Sequence, residues 1–186
     1  MLGGNTLYFG YGSNLWREQM TQRCPESEYV GVARLPKYRW IIYDRGYANV
    51  VKTGNSSDEV YALAYTLNSW DESRLDRNEG VPVAYQKDTL KVEFWESAGG
   101  KPVNVTDRHS VRTREMLVYI DYDGTHEAKP KEEYIYRMNK GIDDAIEAGV
   151  PAEYVDRVMR RFIPDKKSSE VEQQARKQAL KFEDEL

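Results

Sequence analysis

Short apolar and aromatic segments recur through the first two thirds of the chain. β-Branched and aromatic residues fill them, and Gly, Pro, Asn or Asp separate them, which is the pattern of β-strands bounded by turns. Together they predict a multi-stranded, largely antiparallel sheet. The predicted strands are 6–11, 30–35, 38–44, 47–52, 58–67, 89–97 and 116–121.

Other stretches have the apolar spacing of amphipathic helices. A first helix follows the turn after the first strand, and a second is predicted over 69–79, with Asn68 and Ser69 as N-cap types and Gly80 as the stop. A third spans 132–148, and Pro151 opens another, so the two form an α-hairpin packed on the sheet. The fold class is therefore α+β, centred on a closed or strongly curved sheet. The apolar positions of the third helix are Ile135, Met138, Ile142 and Ile146.

Composition narrows the class of protein. The 186 residues suit one domain, predicted over 1–164, and the polar residues 165–186 read as a tail with a marginal helix. A single cysteine, Cys24, excludes an intramolecular disulfide and favours a reducing compartment, so we expect a cytoplasmic protein. No apolar run reaches membrane-spanning length, and a net charge of −4 argues against nucleic-acid binding, so neither a membrane nor a nucleic acid is an expected partner.

Familiar catalytic motifs are missing. The sequence contains no GxSxG, GxGxxG, Walker A or HExxH pattern. The two histidines, His109 and His126, lie in polar segments without metal-ligand spacing and read as exposed loop residues. We therefore expect no metal and no organic cofactor.

Two weaker signals remain. Tyr11-Gly12-Ser13-Asn14 lies between a strand and a helix start, where unpaired backbone amides form an anion pocket. Taken alone, however, the turn favours plain N-capping by Ser13 or Asn14, because such caps are common. Glu79 lies at a helix end, where a cation would be favoured. Glu79 follows Leu75 by four residues and so lies on the same helix face. If Leu75 packs inward, Glu79 is buried with it, and burial raises the pKa of Glu79 towards that of a general base. The alternative is an exposed Glu at a frayed helix end.

The segments YFGYGSNL (8–15) and LDRNEGV (75–81) together resemble the γ-glutamylcyclotransferase family, whose hallmarks are a YGSN loop after the first strand and a Glu at the end of a later helix. The resemblance continues through VARL (32–35), GYANVV (46–51), DEVYALAY (58–65), Tyr85 and the segment 132–155. It implies a small mixed, mostly antiparallel β-barrel with flanking helices.

The resemblance also implies a site. The turn from Tyr11 to Leu15, with Gly12, Ser13 and Asn14, would hold the γ-glutamyl moiety, Glu79 would act as acid and base, and Tyr134 would line the pocket. Tyr47 and Ala48 lie on a segment that borders it. Arg45 stands where the family has a second glycine before Gly46, so it is expected to narrow the pocket or contact the leaving group, and Ala62 replaces another family glycine.

The implied reaction is intramolecular. The α-amine of a small-molecule γ-glutamyl substrate attacks its own side-chain amide, closes 5-oxoproline and expels an amino acid or peptide. Two alternatives stay open: the leaving group is a simple amine or a glutathione conjugate of secondary metabolism, or the barrel is a binding module without turnover. The YGSNL form resembles the γ-glutamyl-amino-acid branch of the family more than the other branches. A homodimer is an expected assembly.

Overall fold

The structure is a computed structural model and describes residues 4–166, 172–173 and 175–177. Seven strands and three longer helices make up most of this part of the chain. The strands are β1 (Thr6–Gly10), β2 (Glu28–Pro36), β3 (Tyr38–Ile42), β4 (Ala48–Lys52), β5 (Glu59–Leu67), β6 (Gln86–Glu96) and β7 (Arg112–Ile120). The helices are α1 (Arg17–Arg23), α2 (Ser69–Asn78) and α3 (Glu132–Ala148).

Five strands close into a barrel in the order β1-β5-β2-β6-β7. Every neighbouring pair is antiparallel except β1 and β7, which meet in parallel where Tyr8 lies opposite Leu117 and so close the barrel. Closure leaves no sheet edge of the barrel exposed for unwanted pairing. The predicted α+β class with a mixed, mostly antiparallel barrel and flanking helices is confirmed.

The strands β3 and β4 form a separate two-stranded sheet, so the expectation of one continuous sheet is wrong for this pair. Tyr38 pairs with Lys52 at one end and Ile42 with Ala48 at the other. Consecutive residues Trp40, Ile41 and Ile42 are all fully buried, so the hairpin is covered on both faces. A strand pattern in the sequence identifies the strand but not the strand with which it pairs.

The helix α2 begins and ends where its caps predict. The side chain of Asn68 accepts a hydrogen bond from the Asp71 backbone N–H at 2.7 Å, and Leu75 is fully buried on the inward face. Asp71, in the first turn of this helix, is buried, and its carboxylate accepts the backbone N–H of Glu26 at 3.0 Å.

The predicted α-hairpin is only partly present. Residues Ala152–Tyr154 form one short α-helical turn, and Val155–Met159 continue as a wider π turn, with the Arg160 N–H bonded to Val155 O at 2.9 Å. Ile146, expected on the packed face of α3, is 41% exposed. The wider turn keeps Val155 and Met159 buried together, which apolar spacing alone does not reveal.

A close approach fixes α3 on the turn that follows β1. Ser13–Leu15 form a single 3₁₀ turn before α1. A Cβ at Gly141 of α3 would lie 2.8 Å from the Leu15 Cβ, so only glycine lets the helix pack here. The fold therefore holds the segment after β1 between α1 and α3.

The predicted tail, 165–186, lies mostly outside the described residues. Residues 172–173 and 175–177 are helical, and Ala175 is buried against Trp16 and Tyr136. Within the part of the chain that the structure describes, none of the helices combines the length and the hydropathy needed to cross a membrane.

Candidate active site

A narrow pocket opens where the turn after β1 meets β4, the end of α2 and the start of α3. The volume of the pocket is about 340 Å³ when its open mouth is counted, but the centre of a water molecule can occupy only about 20 Å³ of it. The pocket is therefore a slot between closely packed rings. The sequence-predicted residues that line it are Tyr11, Gly12, Ser13, Asn14, Tyr47, Ala48, Glu79 and Tyr134.

Glu79 reaches the pocket from the end of α2. Its backbone N–H donates to Leu75 O at 2.8 Å, which continues the helical turn, and the fully buried Leu75 turns this helix face inward. The Glu79 side chain is half-buried, and its Oε1 lies 3.4 Å from the Asn14 Nδ2. The carboxylate is therefore held against the turn after β1, 65 residues away along the chain.

The orientation of the Asn14 amide follows from its partners. Its Oδ1 accepts from Gln19 Nε2 at 2.8 Å and lies 3.4 Å from Arg23 Nη1, and its Nδ2 donates to the Tyr8 hydroxyl at 2.9 Å. Because Gln19 and Arg23 offer only donors on that side, the oxygen must face them. The Asn14 Nδ2 must then point towards Glu79.

A buried ion pair supports the turn from behind. Arg137 of α3 is fully buried and donates to both carboxylate oxygens of Glu133, at 2.9 and 3.3 Å. Its Nη1 also reaches Ser13 Oγ at 3.2 Å and Gln19 Oε1 at 3.3 Å. Ser13 Oγ accepts from Gln19 Nε2 at 2.9 Å as well, so the serine hydroxyl faces this network. Charged partners with satisfied hydrogen bonds fix a buried geometry that neutral side chains would leave looser.

Tyr134 joins the turn to β4. Its hydroxyl oxygen accepts the Ser13 N–H at 3.2 Å and the Ala48 N–H at 3.3 Å. The Leu15 N–H closes the turn on Gly12 O at 2.9 Å. The expectation of outward, unpaired amides is therefore wrong for the N–H groups of Ser13 and Leu15, because the protein itself supplies their acceptors.

Gly12 makes room for this arrangement. Its backbone has a φ of −106°, so the conformation does not require glycine. A Cβ at Gly12 would instead lie 2.9 Å from the Tyr134 hydroxyl and 3.3 Å from the Ala48 Cβ. The glycine is needed for space beside Tyr134.

Three further tyrosines, Tyr8, Tyr85 and Tyr119, complete the lining. Burial, followed by the negative charge of Glu79, raises the pKa of Tyr8 well above its ordinary value, and the same two causes act on Tyr11. The pKa of Tyr85 is raised in the same direction, by burial and by neighbouring tyrosines. These hydroxyls stay protonated at neutral pH, so Glu79 is surrounded by neutral hydrogen-bonding groups.

The structure does not place every predicted residue in the lining. Leu15 is 1% exposed and packs beneath the turn against α3, so its side chain is a core residue. Arg45 lies over the rings of two lining residues, Tyr47 and Tyr85, at 5.9 Å from each centroid, and its Nη1 donates to the Tyr43 hydroxyl at 3.2 Å. It therefore stands at the rim of the pocket.

The supporting residues Gln19, Arg23 and Arg137 were not predicted from the sequence. Polar residues on an amphipathic helix usually face solvent, so the sequence pattern gives no reason to expect these three inside. One signal existed: Arg137 lies three residues after Tyr134 and four before Gly141, on the stripe that α3 buries.

Comparison with known proteins agrees with this fold. Residues 8–139 match the family described as gamma-glutamyl cyclotransferase, AIG2-like. This chain belongs to that family. The gamma-glutamylcyclotransferases of Bos taurus and Mus musculus are 32% identical to it over 89 and 87 residues. Each alignment covers 42% of this chain and 46% of the relative, so the chain spans about half the length of the curated relatives it matches.

Solved structures share the fold over nearly the whole chain. A structure titled gamma-glutamyl cyclotransferase has a TM-score of 0.69 at 24% identity, covering 93% of this chain and 99% of that one. An uncharacterized protein from Homo sapiens, loc79017, covers the same shares with a TM-score of 0.65. At this identity the likeness establishes the fold alone.

Proposed function

We propose that this protein is a γ-glutamylcyclotransferase that releases 5-oxoproline from γ-glutamyl compounds. The observation that carries the proposal is the Glu79 carboxylate at the wall of a tyrosine-lined slot, next to the oriented amide of Asn14. Family membership supports the same reaction. In this proposal Glu79 is the catalytic residue, and Tyr11, Gly12, Ser13, Asn14, Tyr47, Ala48 and Tyr134 form the substrate-binding wall.

The reaction needs two proton transfers and no other reactant. The α-ammonium group of the substrate cannot attack until a base removes a proton, and that base is Glu79. The freed nitrogen then bonds to the γ-carbonyl carbon, and the amide C–N bond breaks as the departing nitrogen takes the first proton from Glu79. The ring nitrogen still carries a second proton to lose, and Glu79 removes it and passes it to the released amine, which leaves as an ammonium ion. Water is neither consumed nor produced, and Glu79 ends in its starting state. Acid–base catalysis of this kind contributes about 10² to 10⁴ in rate.

Positioning contributes the rest of the acceleration. The attacking amine and the carbonyl belong to one molecule, and well-oriented intramolecular reactions reach effective molarities of about 10⁵ M or more. The slot between the tyrosine rings is narrow enough to favour a folded γ-glutamyl chain over an extended one. The hydroxyl groups of the lining tyrosines are suited to the substrate carboxylate or to the oxyanion that develops on the carbonyl.

A product assay tests the proposal. The protein is incubated with γ-glutamyl-alanine, γ-glutamyl-propylamide and glutathione, and the products are separated and identified. We expect 5-oxoproline together with an equal amount of the released amine. Glutamate in place of 5-oxoproline would identify a hydrolase, and binding of the substrates without any product would identify a binding module.

A further inference from the structure

Two cationic side chains, Arg45 and Lys131, lie on the same ring of the pocket wall. The Arg45 guanidinium carbon lies 5.9 Å from the centroid of Tyr47, and the Lys131 Nζ lies 5.0 Å from it. Tyr47 lines the pocket and is 1% exposed, whereas both cations are half-buried. The positive charges are therefore held at the rim rather than extended into solvent.

The main chain brings the two cations together. Gly46, in the turn between β3 and β4, has a φ of +83°, and its carbonyl oxygen accepts the Lys131 N–H at 3.2 Å. A Cβ at Gly46 would lie 2.8 Å from the Lys131 Cγ. Glycine is thus required at this position for both the backbone conformation and the close approach. The segment before α3 is fixed against the turn that carries Arg45.

Neither cation has an acidic partner in the described part of the chain. The salt bridges there involve other arginines and lysines, and the only polar side-chain contact of Arg45 is the Tyr43 hydroxyl. The groups that raise the pKa of Arg45 are the tyrosines Tyr43, Tyr85 and Tyr47, although burial opposes them. Two positive charges without an ion-pair partner in this part of the chain, beside low-dielectric aromatic walls, attract an anion more strongly than exposed cations do.

The cations reach the pocket from different elements than the proposed acid–base group does. Glu79 is held by the Asn14 side of the pocket, whereas the two cations contact Tyr43, Tyr47 and Tyr85. An anion bound at the rim would belong to a part of the substrate other than the reacting amide. In a γ-glutamyl compound that part is the leaving amine.

We infer that Arg45 and Lys131 form a subsite for carboxylate groups of the leaving amine, one carboxylate for each cation. This inference rests on the proposed function and adds a preference to it. Substrates whose departing part carries two carboxylates, such as γ-glutamyl-glutamate, are preferred over those with one, such as γ-glutamyl-alanine. Those with none, such as γ-glutamyl-propylamide, are the poorest. A guanidinium binds a carboxylate through two parallel N–H groups, and an ammonium binds as a point charge.

The kinetic test compares substrates within each variant. The ratio of kcat/KM for γ-glutamyl-glutamate over γ-glutamyl-propylamide is measured for the wild type, Arg45→Gln and Lys131→Gln. Each substitution is expected to lower this ratio about tenfold, the effect of losing one charge-assisted hydrogen bond of the weaker kind. Lys131→Arg keeps the charge and should keep most of the ratio. Lys129→Gln, at an exposed lysine on the same segment, is the matched control and should leave it unchanged.

A structural role for the two cations predicts a different result. If they only stabilise the tyrosine rings, both substrates lose activity equally and the ratio does not move, which overturns the inference. If both substitutions lowered the ratio for γ-glutamyl-alanine as much as for γ-glutamyl-glutamate, the assignment of one carboxylate to each cation would be overturned.

A binding test separates this inference from the proposed reaction. Calorimetry of γ-glutamyl-glutamate and γ-glutamyl-propylamide on Glu79→Gln protein measures affinity without turnover. The dicarboxylate is expected to bind tighter, and adding Arg45→Gln or Lys131→Gln should reduce that advantage about tenfold. If the wild type forms no 5-oxoproline but this advantage is present, the proposed function fails and the subsite stands. Equal affinities for the two ligands would refute the subsite even in an active enzyme.

Discussion

Gln19 connects the buried Arg137 to the Asn14 amide, which in turn contacts the proposed acid–base group, Glu79. Its Nε2 donates to Ser13 Oγ at 2.9 Å and to Asn14 Oδ1 at 2.8 Å, and its Oε1 lies 3.3 Å from Arg137 Nη1. Gln19→Met keeps the length of the side chain and removes all three bonds. Each hydrogen bond contributes about 1 kcal/mol to stability, so the free energy of unfolding should fall by about 3 kcal/mol. For a chain of this length, that corresponds to a Tm lower by roughly 6 to 12 °C.

Gln19→Glu separates the orientation of Asn14 from stability. The new carboxylate still accepts from Arg137 but donates nothing, so Asn14 gains by turning its Nδ2 towards it and away from Glu79. Because the Asn14 amide contacts the proposed acid–base group, its displacement is expected to lower the rate about 100-fold. Since the rest of the substrate-binding wall is retained, we expect the loss mainly in kcat, with KM changed by less than about threefold.

The assay is the rate of 5-oxoproline formation, with urea unfolding of the same samples. Gln22→Glu makes the same change at an exposed position of α1 and is the matched control. The reasoning is wrong if folded Gln19→Glu protein keeps kcat within about twofold of the control, because the Asn14 amide would then not matter. A higher KM with kcat unchanged would instead indicate that Gln19 acts in substrate binding.

Three further predictions concern the space beside Tyr134, alkaline pH and metals. Gly12→Ala should displace the Tyr134 hydroxyl, because the new Cβ would lie 2.9 Å from it. The affinity for 5-oxoproline, measured by calorimetry, should fall about tenfold. Gly4→Ala is the control and should leave this affinity unchanged, because no atom lies within 4 Å of its new Cβ. Buried Tyr8, Tyr11 and Tyr85 have raised pKa values, so above about pH 10 the unfolded chain releases protons that the folded chain keeps. Urea titrations should show stability falling with rising pH by about 4 kcal/mol per pH unit for the three together, and a flat profile up to about pH 11 would contradict their burial as neutral groups. Activity should survive exhaustive chelation, since the reaction requires only proton transfer; a loss restored by one particular divalent ion would refute this.

The sequence predicted the barrel well because local patterns and caps agree with the fold. The helix α2 was predicted within one residue of its observed end, since Asn68 caps its start and Gly80 follows its last turn. The separation of β3 and β4 from the barrel could not be predicted, because pairing partners depend on which surfaces bury one another. The π turn at Val155–Met159 was missed because its apolar residues have spacing close to that of an α-helix.

The candidate site divides in the same way. The residues that contact the pocket, such as Asn14, Glu79 and Tyr134, stand in recognisable segments of the sequence. The residues that orient them do not, since Gln19 and Arg137 are polar side chains on amphipathic helices, where the pattern predicts exposure although both are buried. Their burial follows from the packing of α1 and α3 on the turn after β1, which is a tertiary property.

The central claim is that Glu79 moves the proton in a ring-closing reaction, and one substitution tests it directly. Glu79→Gln keeps the size of the side chain and a hydrogen-bonding oxygen but cannot accept a proton. We expect the rate of 5-oxoproline formation to fall by about 10² to 10⁴, while 5-oxoproline still binds in calorimetry. Glu72→Gln, on the same helix in a surface pair with Lys87 at 2.6 Å, is the control and should retain activity. Turnover of the Glu79→Gln protein within about tenfold of the wild type would contradict the account.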